Sequence, residues 1–314
     1  MAGDRRAVAV FGAGAVGCWF GGMLARAGTP VTLIGRKFHV DAIGAEGLRL
    51  ESAGFDERVR VAASTDARAA SGADLVLVAV KSFDTEAAGC ALAPHLSDDA
   101  VLLSLQNGVE NAEILRKRTG HDAFPAVVWV AASMSAPGAV RHAGRGDLVI
   151  GDPSWTLPRA DSRRRTLGEI ARVFESAGVP CTVSDEIEAE LWSKLAANCA
   201  FNPVSALARA HYARIGALPG GRRLLKDVVA EVLAVAAASG VAMGARDVVG
   251  AVMKLADSMA KATSSMAQDL ARGGRTEIEA LNGFVVRRGE ALGVPTPINR
   301  TLASLVRLLE EAGA

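Results

Sequence analysis

Residues 7–28 read AVAVFGAGAVGCWFGGMLARAG, an apolar run that passes through a glycine loop into a helical pattern. Few folds accept this order. The strand Ala7–Phe11 must end in a turn tight enough to need Gly12, and a helix over Val16–Ala27 must start at once. Gly14 lets backbone approach a pyrophosphate, and Gly17 permits close packing of helix on sheet. The new helix also offers unpaired N–H groups and positive potential to an anion. Further short apolar runs follow at Val31–Ile34, Leu75–Val80, Val101–Ser104 and Ala126–Val130, with a helical stretch at Glu86–Leu96. Their valine and leucine content predicts parallel strands covered on both faces, hence a doubly wound α/β sheet with right-handed crossovers. Strands are also expected at Ala139–His142 and Asp147–Gly151, joined by an AGRG turn. A helix at Arg163–Ala177 and a last strand at Val179–Val183 complete this half. After Asp185 the pattern is almost wholly helical, with breaks at Pro219–Gly221, Gly240, Gly273–Gly274 and Gly293. The expected organisation is an α/β domain over 1–184 and an all-helical domain over 185–314.

A chain of 314 residues is long enough for two cores. Its 35 basic and 34 acidic residues give a net charge of +1, which argues against a nucleic-acid partner or a charged membrane surface. No apolar stretch approaches the roughly 20 residues that span a bilayer. Two arginines before the first strand superficially resemble a signal peptide, but the apolar run turns into folded glycine-loop structure. The cysteines Cys18, Cys90, Cys181 and Cys199 lie far apart, without metal-ligand spacing. No metal site or disulfide framework is expected, and a cytoplasmic setting fits.

The loop Gly12, Ala13, Gly14, Ala15, Val16 and Gly17 is the candidate dinucleotide site. About twenty residues further on, the second strand ends at Gly35–Arg36–Lys37. An NAD site usually places a carboxylate there; Arg36 suits a 2′-phosphate and favours NADPH/NADP+ as cofactor, the alternative being a solvated surface arginine. Lys81 and Asn107 follow two other strands, where ligands of open α/β sheets bind. The plainer readings are a solvated loop lysine and a turn asparagine before Gly108.

The stretch ELWSKLAANCAFNP at 190–203 carries Lys194, Asn198 and Asn202 at four-residue intervals. On a helix each such step advances roughly 40°, so the three form one polar row. The rest of that helix is apolar and predicts burial, where a lysine and two amides need polar partners. A row lining a ligand cleft supplies them. A Lys194–Glu190 pair, with the amides bonded to nearby backbone, is the alternative. Further on, Thr276 with Glu279 suggests a capping box that places Glu277 in a first helical turn, where its charge complements the helix dipole.

Taken together, GAGAVG, VAVKSFDT, LQNGVEN, ELWSKLAANCAFNPVSAL and SSMAQDLARGGRTEIEALNGFVVRR resemble the ketopantoate reductase (2-dehydropantoate 2-reductase) family. The resemblance covers essentially the whole chain in order. It implies an N-terminal Rossmann-type domain, a helical C-terminal domain, and NADPH-dependent reduction of ketopantoate to pantoate for pantothenate and coenzyme A synthesis. It further implies Lys194 as catalytic lysine and Glu277 as active-site glutamate. Asn198, Asn202 and Ser265 match substrate-binding positions. Lys81 and Asn107 match residues near nicotinamide and substrate, and Gly12, Gly14, Gly17 and Arg36 match the cofactor site. The segment from Val127 to Asp152 keeps only the family's general layout, so the particular small 2-oxo acid stays open.

The expected chemistry is hydride delivery to the C2 ketone while Lys194 hydrogen-bonds and protonates the carbonyl oxygen. Glu277 holds the substrate hydroxyl and positions Lys194, and Asn198, Asn202 and Ser265 fix the remaining polar groups. Two rivals are a related dehydrogenase acting on 3-hydroxy acids or bulkier 2-oxo acids, and a non-catalytic NADPH-binding regulator. Trp129, Trp155 and His142 read as packing residues, with substrate contact as the alternative. Oligomeric state is not readable, although an apolar helical half is compatible with a homodimer.

Overall fold

The computed structural model describes residues 6–153 and 161–312. Residues 1–5, where the leader-like pattern begins, and Trp155 lie outside that set. The chain forms two compact units, Met1–Gln106 with Glu110–Ile187, and Asn107–Val109 with Glu188–Ala314.

The first unit opens with β1 (Val8–Phe11), α1 (Ala15–Arg26), β2 (Val31–Ile34) and α2 (Lys37–Glu46). Next come β3 (Leu48–Glu51), β4 (Asp56–Val59), β5 (Ala62–Ser64), β6 (Leu75–Val78) and α3 (Thr85–Leu92). The unit continues through β7 (Val101–Ser104), α4 (Asn111–Thr119), β8 (Ala123–Ala136), β9 (Ala139–Ile150), α5 (Asp161–Ser176) and β10 (Cys181–Val183). The sheet runs β4-β3-β9-β8-β7-β6-β1-β2-β5, with β10 paired to β9. From β5 to β8 neighbouring strands are parallel.

Alternation along each strand divides the core in two. Val8, Val10, Leu75 and Leu77 pack with Trp19, Phe20 and Leu24 of α1 and Ile170 and Phe174 of α5. Ala9, Val76, Val78 and Leu102 pack on the opposite face with Ala88 and Leu92 of α3 and Leu115 of α4. Burial on both faces is why these strands read as unbroken apolar runs.

Two departures from the sequence reading have physical causes. The AGRG segment does not reverse the chain: β9 runs unbroken beside β8, with register shifts between Trp129/Val130, Ala131/Ala132 and Met134/Ala136. Gly144 (φ 151°), Arg145 (φ 53°) and Gly146 (φ 143°) lie at the first two of these shifts and bend β9 as bulges. Arg145 is held there with its guanidinium 4.5 Å from the Trp129 ring centre. Strands β3, β4 and β5 and helices α2 and α4 have no counterpart in the sequence reading. The sequence of β4, DERV, has no buried residue and so no apolar signal.

The second unit is helical: α6 (Ile187–Ala208, whose first residue belongs to the first unit), α7 (Tyr212–Ala217), α8 (Pro219–Ala238) and α9 (Val248–Ser258). They are followed by α10 (Ser265–Ala271), α11 (Asn282–Leu292) and α12 (Pro297–Ala312). Pro219 starts α8 rather than merely interrupting the pattern, in keeping with proline's fitness for a first helical turn. Leu195, Cys199, Phe201, Val228, Val232, Val252, Val285 and Val306 belong to its single core. Among the described residues no helix is long and apolar enough to cross a membrane, and no group of three or more His, Cys, Asp or Glu could hold a metal ion.

Candidate functional site

In the first unit, parallel register brings the predicted cofactor residues to one edge. Phe11 lies opposite both Ile34 and Val78, so Gly12, Gly35 and Ala79 follow at the carboxyl ends of adjacent strands. Arg36 and Lys81 stand one and two residues beyond. Gly12 has φ 120°, and a Cβ there would lie 2.6 Å from the Ala79 carbonyl carbon. A Cβ on Gly17 would lie 2.1 Å from the Gly12 oxygen, which no repacking accommodates. A Cβ on Gly14 would meet nothing within 4 Å. Open space therefore lies over the backbone that begins α1.

That helix has no side-chain cap and no acidic residue in its first turn, so its N-terminal field is not cancelled locally. Such a cradle fits a pyrophosphate. Arg36 is exposed at the N-cap of α2, its guanidinium 5.1 Å from the Phe38 ring centre. This is a suitable place for a phosphate-bearing ribose.

A polar network missed in the sequence supports the Lys81 loop. Gln106 Nε2 donates to Val80 O at 3.1 Å and to Thr85 Oγ1 at 2.7 Å, while Gln106 Oε1 accepts from Ser104 Oγ at 3.0 Å. Thr85 Oγ1 lies 2.8 Å from both Ser82 O and Asn111 Oδ1, which share its single proton. The sequence signal was a glutamine two residues beyond an apolar strand.

The second unit gathers the other candidates. Lys194, Asn198 and Asn202 all lie on α6, with Asn202 buried and Lys194 and Asn198 partly buried. Asn198 Nδ2 donates to Asn107 Oδ1 at 3.4 Å, and Asn107 Nδ2 donates to Glu277 Oε2 at 2.9 Å. The direction of this relay follows from its end: a carboxylate only accepts, so Asn107 must turn its amide N–H toward Glu277 and its oxygen toward Asn198. Glu277 is 7% exposed. Asn107 belongs to this unit by its contacts, although the chain up to Gln106 belongs to the other. Glu190 meets Arg246, whose Nη2 lies 3.2 Å from Glu190 Oε1.

Ser265 is exposed in the first turn of α10. Its buried neighbour Ser264 is the cap: Ser264 Oγ accepts from Ala267 N at 3.1 Å and donates to Asn202 O at 3.0 Å. The start of α10 is thereby tied to the third residue of the polar row. Two adjacent serines before a helix do not say in sequence which of them caps it.

The expected capping box does not form. Thr276 Oγ1 accepts from Ile278 N at 3.2 Å, while Thr276 N donates to Glu310. The Glu279 carboxylate meets Arg287 and Arg307 instead of returning to Thr276. Charge attraction to two guanidiniums outweighs one local backbone bond. Glu277 stands at the start of a short 3-10 turn, Ile278–Ala280, without a side-chain cap to it.

Fold and loop thus define a doubly wound α/β unit of the dinucleotide-binding kind, coupled in sequence to a helical unit with a polar row. Comparison with known proteins gives the family. Residues 8–155 match the model for Ketopantoate reductase PanE/ApbA, and residues 186–310 match that for its C-terminal part. A 2-dehydropantoate 2-reductase of Halobacterium salinarum is 37% identical over 309 residues, covering 98% of this chain and 99% of that one. One from Archaeoglobus fulgidus is 34% identical, with 96% and 97% covered. A crystal structure of a PanE/ApbA family ketopantoate reductase from Ralstonia eutropha superposes with a TM-score of 0.90 at 50% identity, covering 98% and 99% of the two chains. The chain belongs to the ketopantoate reductase PanE/ApbA family.

Proposed function

We propose that this protein reduces 2-dehydropantoate to pantoate with NADPH, a step toward pantothenate. The observation carrying this reading is the Asn198–Asn107–Glu277 relay, set one helical turn from Lys194, in a chain of this family. A dinucleotide at the glycine loop would supply the hydride for C2. Gly12–Gly17 would hold its pyrophosphate, Arg36 its 2′-phosphate, and Lys81 would serve the same strand edge.

In the second unit Lys194 donates a hydrogen bond to the ketone oxygen and passes a proton from Nζ to it as negative charge develops there. Solvent later restores that proton, so each turnover consumes one. A donor fixed before the reaction stabilises charge without reorganisation at the moment it appears. Glu277, already held by Asn107, accepts from the substrate hydroxyl and keeps the ammonium in place by charge. Asn198, Asn202 and Ser265 fix the remaining polar groups of the acid. In this reading the α/β unit binds cofactor and the helical unit binds and protonates substrate.

The described cysteines are free thiols, three of them buried, which supports a cytoplasmic setting. Steady-state reduction of ketopantoate, followed at the nicotinamide absorbance, tests the proposal. Turnover with NADPH, at higher kcat/KM than with NADH or with bulkier 2-oxo acids, is the expected result. Tight NADPH binding without turnover of any keto acid would instead make the protein a regulator.

A further inference from the structure

Helix α6 carries a proline in its interior, Pro203. An α-helical N–H donates to the carbonyl four residues earlier, so the N–H that proline lacks leaves the Cys199 carbonyl without its helical donor. Cys199 is wholly buried in the apolar core of the helical unit, between Asn198 and Asn202. Water cannot easily repair the defect, and an unpaired buried carbonyl is costly.

Asn282, the first residue of α11, supplies the missing donor: its Nδ2 lies 3.0 Å from Cys199 O. The same nitrogen donates to Asn299 Oδ1 at 2.9 Å. Asn299 Nδ2 is fixed by Glu231 Oε2 at 2.7 Å and Val228 O at 3.4 Å. Asn282 and Asn299 are both 0% exposed. Asn282 Oδ1, by contrast, is buried with no hydrogen-bond partner among the described residues. The side chain is thus oriented by its donors, and a leucine would fill the volume without leaving that acceptor unmet.

We propose that Asn282 is a positioning residue: it stands in for the N–H absent at Pro203 and so fixes the course of α6 through Asn198 and Asn202. This rests on the reading of those two amides as substrate ligands. Asn282 itself touches no reacting atom; it sets the aim of residues that do.

The test is a double-variant cycle with Pro203→Ala, which restores an N–H at position 203. Alone, Asn282→Leu is expected to raise KM for ketopantoate about tenfold, leave KM for NADPH within about twofold, and lower the denaturant midpoint. In the Pro203→Ala background the same substitution is expected to change KM for ketopantoate by less than about threefold and to lower the midpoint by less, the remaining fall reflecting the lost bond to Asn299 Oδ1. Equal effects in both backgrounds, or an unchanged ketopantoate KM beside a normal NADPH KM, would overturn the proposal. Should Asn282→Leu alone not accumulate as folded protein, the double variant decides. Folded double variant supports the substitution of donors, and its failure to fold refutes it. The stability arm needs no turnover, so it judges Asn282 even if the wild-type protein proves inactive on ketopantoate.

Discussion

Lys194 owes its place in the polar row to a periodicity, and its proposed catalytic role to the family resemblance. Four-residue spacing puts it in one row with Asn198 and Asn202, and the structure adds the relay from Asn198 through Asn107 to Glu277. If Lys194 delivers the proton, Lys194→Ala should lower kcat on ketopantoate about a hundredfold or more, with a much smaller change in KM for NADPH. A variant with kcat within about threefold of wild type would move proton donation to another group. The row was legible because helical spacing is a geometric constraint that sequence carries directly. Ser264 was not, since either of two adjacent serines satisfies the same capping pattern. Asn282 was hidden for a different reason: its partner is a backbone carbonyl 83 positions away, exposed to need only by a proline's missing proton.

Among the elements, the central strands were readable, whereas β3, although Leu48 and Leu50 are buried, is too short and too charged at Arg49 and Glu51 to read as an apolar run. Strands β1, β2, β6 and β7 announce themselves because both faces are covered. The polar edge strand β4 has nothing to bury, and the bulged middle of β9 looks like a turn because glycine and positive φ serve both. Helix α12 shows how an element can depend on a distant side chain. Its N-terminal residues Ile298 and Asn299 donate their N–H groups to the two carboxylate oxygens of Glu231 on α8, each at 2.9 Å. Two orphan donors at a helix start are thus satisfied by one charge that also favours the helix dipole. Glu231→Ala removes both acceptors and the support of Asn299 Nδ2. It should destabilise the protein by about 2 kcal/mol, seen as a lower guanidinium midpoint with an unchanged m-value. No change in midpoint would mean that solvent satisfies this helix start as well as the glutamate does.

At the scale of the whole molecule, the chain buries separate cores in its two units, and the 3-10 turn bearing Glu277 must be anchored within the second. The anchor is Glu279, which joins that turn to α11 through Arg287 at 3.1 Å and to α12 through Arg307. The hydrogen bond from Arg307, reinforced by both guanidinium charges, holds the Glu279 carboxyl below its ordinary value of 4.5. A carboxyl whose folded pKa is depressed binds protons more readily in the unfolded chain. Its stabilisation is therefore fully present above the unfolded value and is lost as pH falls through the folded one. Glu279 and its arginines are close to half exposed, so solvent screening limits the contribution to below about 1 kcal/mol. Comparing wild type with Glu279→Gln by chemical unfolding should show a constant gap from neutral pH down to about 5, narrowing at lower pH as the wild-type carboxyl is protonated. A gap that persists undiminished into acid would show that the clamp acts through packing of the long arginine stems, with charge contributing nothing.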